Sequence, residues 1–123
     1  MDLEKAFKNL LDCSFQVHSA LGPGLLESAY LECLYYELAQ KGFKVEKQKP
    51  LPLIYKEVHL DIGYRIDLLV EDLIVVEIKS VEALCDIHMA QILTYMKLSG
   101  CHLGLLVNFN VQHLRDGIKR VIL

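Results

Sequence analysis

The chain has 123 residues, 53% of them hydrophobic, and carries 13 basic against 16 acidic side chains for a formal net charge of −3. That length suits one domain, residues 1–123, with a modest core, and the hydrophobic content excludes a disordered chain. The slight negative balance argues against a surface coated with cations for nonspecific nucleic-acid binding, although a local basic patch stays open. No apolar run approaches the roughly 18–20 residues that cross a bilayer. The opening MDLEKAFKNL is charged and lacks the continuous apolar stretch of a secretory signal, so the cytoplasm is the expected location. Cys13, Cys33, Cys85 and Cys101 form no CxxC pair and read as small buried thiols in a reducing compartment, not as a zinc site or disulfide framework.

Taken in order, residues 3–20 predict a helix with Asp2 as its N-cap. Leu3, Phe7, Leu10, Ser14, Val17 and Leu21 recur at spacings of three and four and make one largely apolar face. Gly22-Pro23-Gly24 breaks it. A second helix is expected from about Leu25 to Gln40, stopped by Gly42. Glu27 falls in its first turn, with Tyr30 and Leu34 on the same face. Phe43 to Lys49 alternates like a half-exposed strand, and Pro50 and Pro52 mark an edge or bend. Leu53 to Tyr55 begins a short strand with a turn near Lys56-Glu57, and Val58 to Ile62 leads into the next segment.

That segment, GYRIDLLVEDLIVVEIK from Gly63 to Lys79, reads as two buried strands joined by a turn at Glu71-Asp72. Asp67 interrupts the first apolar run, and Glu77 and Lys79 interrupt the second. Side chains alternate along a strand, so Glu77 and Lys79 share a face. Buried charge is costly unless it is paired or binds a metal. The residues alone leave two readings: an ion pair between Lys79 and one acid, or a metal site. In the second, Asp67, Glu77 and a backbone carbonyl at Ile78 offer the oxygens that magnesium prefers, beside a lysine suited to positioning a water.

A third helix is expected over roughly Asp86 to Ser99, closed by Gly100. His88, Gln91 and Tyr95 form one polar stripe on it, which makes His88 a candidate border of any site there. Leu103 to Asn108 reads as a buried strand, Asn110 to Gly117 as a loop or short helical turn, and Lys119 to Leu123 as a last strand. Helices that precede and interrupt strands place the chain in the α/β or α+β class around a mixed sheet.

Together these elements resemble the PD-(D/E)XK nuclease superfamily and, within it, the small GxxExxY family. The naming motif stands as Gly24-Leu25-Leu26-Glu27-Ser28-Ala29-Tyr30, and the acid and Glu-x-Lys elements as Asp67 and Glu77-Ile78-Lys79. Gln91-Ile92-Leu93-Thr94-Tyr95 is similar to the QxxxY element of some branches, and LGLLVNFN also looks like the family. Ile66 stands where the superfamily's name has proline, a position that serves backbone shape more than chemistry. The resemblance implies an α/β, restriction-endonuclease-like core with a central mixed sheet flanked by helices. It implies a nuclease that uses Mg2+ or Mn2+ on nucleic acid, with DNA favoured. Asp67 and Glu77 would be metal ligands, Lys79 the catalytic lysine, Glu27 an acid that extends the metal site, and Gln91 and Tyr95 side chains lining it. The alternative within the same fold is a nucleic-acid-binding or protein-assembly module without useful turnover. A core this small has little surface for specificity, which makes a homodimer a candidate assembly.

Overall fold

The computed structural model describes residues 2–123. Its elements run α1 (Leu3–Leu21), α2 (Glu27–Gln40), β1 (Val45–Pro50), β2 (Leu53–Tyr55), β3 (Val58–Leu60), β4 (Arg65–Val70), β5 (Ile74–Lys79), α3 (Asp86–Ser99), β6 (Leu103–Asn108), a 3-10 turn (Leu114–Gly117) and β7 (Ile118–Ile122). Asp2 caps α1 as its sequence position predicts: its Oδ1 accepts from the backbone N–H groups of Glu4 at 3.0 Å and Lys5 at 3.3 Å. No helix among the described residues is long and apolar enough to cross a membrane.

Five strands form one mixed sheet in the order β1-β4-β5-β6-β7. Only β5 and β6 run parallel, joined through α3; the other neighbours are antiparallel. The connection from β4 to β5 turns at Glu71 and Asp72, whose φ angles are 55° and 57°. Two positive φ values give the mirror-image turn that matches strand twist. Lys44 secures it by pairing with Asp72 at 2.6 Å.

Two strand expectations are corrected. Val58–Leu60 does not lead into β4; it folds back on Leu53–Tyr55 as a separate two-stranded hairpin, because Lys56-Glu57 is itself a tight turn. Phe43 and Lys44 stay outside β1, because its partner β4 ends opposite Val45 at Val70. The Lys44 carbonyl instead accepts from the Glu71 N–H at 2.8 Å.

The core lies on both faces of the sheet. On one, α1 and α2 bring Phe7, Leu10, Leu34 and Leu38 onto Leu68, Val70, Val76, Ile78, Leu105 and Val107. On the other, Ile92, Tyr95 and Met96 of α3 cover Leu69, Val75 and Leu106. Each such side chain contributes about 1.5–3 kcal/mol when fully buried. Gly104 on β6 lets α3 approach. A Cβ there would stand 2.8 Å from Met96 Sδ and 3.1 Å from Ile92 Cδ1. Gly104→Val therefore pushes α3 off the sheet. The expected cost is about 1–3 kcal/mol in urea unfolding, with α3 amides losing hydrogen-exchange protection before those of α1.

Candidate active site

The site grows from a break in the sheet. Strands β4 and β5 pair in register at Val70 and Ile74, Leu69 and Val75, and Leu68 and Val76. Past that point side chains replace the backbone acceptors. The Asp67 N–H donates to Glu77 Oε2 at 2.9 Å, and the Ile78 N–H donates to Asp67 Oδ2 at 2.8 Å. Each carboxylate thus holds the neighbouring strand and is fixed by it. Glu77 is 3% exposed, so the pair lies largely out of water. The other two oxygens, Asp67 Oδ1 and Glu77 Oε1, accept no hydrogen bond among the described residues. No buried side-chain polar atom among those residues lacks a partner, so both free oxygens reach the solvent side of the break.

Burial dominates the electrostatics. Desolvation, and then the negative charge of Asp67, push the Glu77 carboxyl up to about 8. Asp67 is also raised, chiefly by desolvation, against the opposing pull of the Ile78 N–H. At neutral pH the pair therefore keeps a proton, and a cation at the free oxygens would displace it. Lys79 pulls both carboxyls down by its charge, against burial, but without direct contact. Its Nζ donates to Gln91 Oε1 at 2.8 Å, and no salt bridge among the described residues includes it. The structure thus disfavours the ion-pair reading. Gln91 passes the chain on, its Nε2 donating to the Tyr95 hydroxyl at 3.2 Å.

Glu27 arrives from the opposite layer. It is exposed, and its Oε2 accepts from the Ser80 N–H at 3.2 Å, just beyond Lys79. Tyr30 and Leu34 turn into the core while Glu27 stays at the surface, so the helix face they share runs from core to site. The Gly-x-x-Glu-x-x-Tyr spacing has a physical basis here. Tyr30 stacks on Phe109 with ring centroids 4.6 Å apart. Its hydroxyl donates to the Gly22 carbonyl at 2.5 Å and accepts from the Leu25 N–H at 3.2 Å. The loop it clamps passes through Gly24 at φ 102°, a conformation that suits glycine. Ser80 Oγ donates to the Leu25 carbonyl at 2.6 Å. With both Leu25 backbone groups engaged in this way, α2 starts at Glu27 rather than Leu25.

His88 is drawn toward the start of α3. Its Nδ1 accepts from the Cys85 N–H at 3.1 Å and caps the helix. Cys85, expected as a buried thiol, is exposed because it stands at this helix end, and Cys33 is half-buried; only Cys13 and Cys101 are buried. Tyr95 is buried, so the polar stripe of α3 is in part a core-facing row. Sequence reasoning missed Asn108. It is 1% exposed, its Oδ1 accepts from the Val81 N–H at 3.1 Å, and its Nδ2 donates to the Val81 carbonyl at 3.0 Å. An asparagine ending an otherwise apolar strand was the available signal.

The donor set fits a divalent cation in kind: two anchored carboxylates with one open oxygen each, and Glu27 nearby. No three His, Cys, Asp or Glu side chains among the described residues converge closely enough to hold an ion by themselves. Magnesium commonly needs only one or two carboxylates, with water and substrate oxygens completing the shell.

The chain is thus an α/β protein: a mixed sheet with helices on both faces, presenting two acids and a lysine where adjacent strands diverge. The profile of the PD-(D/E)XK nuclease superfamily matches residues 4–121, and the chain belongs to that superfamily. Its architecture is accordingly restriction-endonuclease-like. Nucleases of this kind generally depend on divalent metal and act on nucleic acid. No curated protein and no solved structure matches the chain.

Two outcomes test this geometry. Folding raises the Glu77 carboxyl from its ordinary 4.5 to about 8, so the folded chain keeps a proton that the unfolded chain releases over that interval. The contribution is present in full below the lower value and is lost as pH rises through the upper one. Thermal unfolding followed by circular dichroism should show stability falling from pH 5.5 to 8.5, with Glu77→Gln removing most of the fall. The limit is about 5 kcal/mol at about 1.4 kcal/mol per pH unit. Tyr30→Phe should cost about 1 kcal/mol, by leaving the Gly22 carbonyl and Leu25 N–H without their partner, and proteolysis should then cut the 22–26 loop faster.

Proposed function

We propose that residues 1–123 act as one metal-dependent nuclease unit of the GxxExxY type, hydrolysing phosphodiester bonds in nucleic acid, with DNA the favoured substrate. The observation that carries this reading is the carboxylate pair at the end of the β4–β5 ladder. Its inner oxygens are fixed by backbone N–H groups and its outer oxygens are open. Burial makes two anions there unfavourable without a cation.

In this reading Asp67 and Glu77 hold Mg2+ or Mn2+, and Glu27 extends the site through water or by direct contact. A bound divalent ion would polarise a phosphoryl oxygen and lower the pKa of a water. Lys79 keeps two of its three N–H donors after bonding Gln91, enough to orient the attacking water and to stabilise charge developing on the phosphoryl oxygens. Gln91 aims the lysine, and Tyr95 braces Gln91. The cap geometry of His88 supports a structural role for it.

Purified protein incubated with Mg2+ or Mn2+ and labelled single-stranded, duplex or branched substrates should yield cleavage products. Glu77→Ala or Lys79→Ala should reduce the rate by about 10²–10³-fold, the usual cost of losing a preorganised charge-stabilising group, with the circular dichroism spectrum unchanged. If no substrate is cut but binding is salt-dependent, the alternative of a binding module replaces this reading.

A further inference from the structure

A cavity of about 270 Å³ opens beside the Lys79–Gln91–Tyr95 chain. Its walls come from three places: Leu53 on the β2–β3 hairpin, Tyr64 just before β4, and Ile87, Gln91, Thr94 and Tyr95 on α3. The lining is largely apolar, yet two of its residues are tyrosines and two others carry an amide and a hydroxyl. Tyr64 is 42% exposed and Ile87 is 69% exposed. The Tyr64 and Tyr95 rings are 6.2 Å apart at 54°, so they form adjoining walls of the cavity rather than a closed stack. The cavity is neither filled by the chain's own core nor remote from the chemistry, because the Gln91 amide that lines it also holds Lys79.

We infer that this cavity is a slot for one unpaired nucleobase, and that the site therefore takes single-stranded nucleic acid, or a duplex with an unpaired nucleotide next to the scissile phosphate. The inference rests on the nuclease reading and narrows its substrate. A nucleobase has flat faces suited to the tyrosine rings and to Ile87, and a hydrogen-bonding edge suited to Gln91 and Thr94. A base stacked within a duplex presents no face and cannot enter; filling the slot requires unstacking, which costs least where the base is already unpaired. Gln91 links the slot to Lys79, so a base held there brings its own nucleotide's phosphate to the lysine's side of the cavity. Arg65, two residues before Asp67, is exposed and forms no ion pair among the described residues. It is the nearest cation along β4 available to a neighbouring phosphate. The overall charge of −3 agrees with a protein that gains affinity from base stacking and does not depend on a broad cationic surface.

The test compares one labelled sequence as single strand, as full duplex, and as single strand with an abasic nucleotide scanned past the cleavage point, in Mn2+. Wild-type protein is set against Tyr64→Ala and Ile87→Ala, two exposed positions whose replacement should leave the circular dichroism spectrum unchanged. The single strand should be cut at least about tenfold faster than the duplex; Tyr64→Ala should slow single-strand cleavage about tenfold, as loss of one base–aromatic stack does, and Ile87→Ala should slow it by a smaller factor, through lost apolar contact with the base. One abasic position should reproduce that loss in the wild type and cause no further loss in Tyr64→Ala. Equal cleavage of duplex and single strand, or an undiminished Tyr64→Ala, overturns the slot. If nothing is cut, fluorescence anisotropy decides. A single-strand preference in binding that Tyr64→Ala abolishes upholds the slot while the nuclease reading fails; equal binding of both strands overturns the slot as well.

Discussion

Beyond Leu68 and Val76 the two central strands stop pairing through their backbones, and two carboxylates take over. This substitution is the constraint on which the site depends. A backbone N–H left without an acceptor inside the sheet would cost about as much as a lost hydrogen bond. Asp67 and Glu77 avoid that cost by accepting from each other's strand. The same bonds fix each carboxylate to a rigid element, which positions a site more accurately than a loop can. The arrangement places two carboxyl groups in a poorly solvated space where both cannot easily be ionised, and the raised Glu77 carboxyl is the direct consequence. One geometric feature thus supplies structural continuity, orientation of the acids and the raised carboxyl.

The two helical layers close around that break for separate reasons. On one side, the stack of Tyr30 on Phe109 fixes α2, and the Tyr30 hydroxyl fixes the loop in front of it. Glu27 is thereby held against Ser80. Phe109 is tied in turn to β5, its N–H donating to the Lys79 carbonyl at 2.9 Å. On the other side, the absence of a side chain at Gly104 lets α3 lie close, and Gln91 then reaches Lys79. Asn108 grips both backbone groups of Val81 and holds the segment between β5 and α3. Most of these contacts join residues far apart in sequence. A modest packing change in either layer would move the acids and the lysine relative to one another without touching them.

Legibility in the sequence followed how local each interaction was. The apolar periodicities of α1 and α3 and the apolar runs of β4, β5 and β6 depend on burial of a single face or strand, and the corresponding elements formed where the patterns placed them. Short, exposed segments were harder to place. Val58–Leu60 alternates too briefly to reveal its partner, and the start of α2 depends on Ser80 and Tyr30, which capture Leu25 from outside the helix. Asn108 gave little sign of its role, because one polar residue after a buried strand has many ordinary explanations.

The sequence by itself determined that charges sit inside two apolar strands, since the residue types and a two-residue period are local facts. It also determined the superfamily, because the acid and the Glu-x-Lys element stand together in one chain whose length the superfamily profile spans. Only the tertiary structure decided how those charges are used. Whether Lys79 meets an acid or Gln91, and which carboxylate oxygens stay open, depends on how β4 diverges from β5 and on how close α3 lies to the sheet. Distances of this kind are set by packing between elements, and no spacing within one element encodes them.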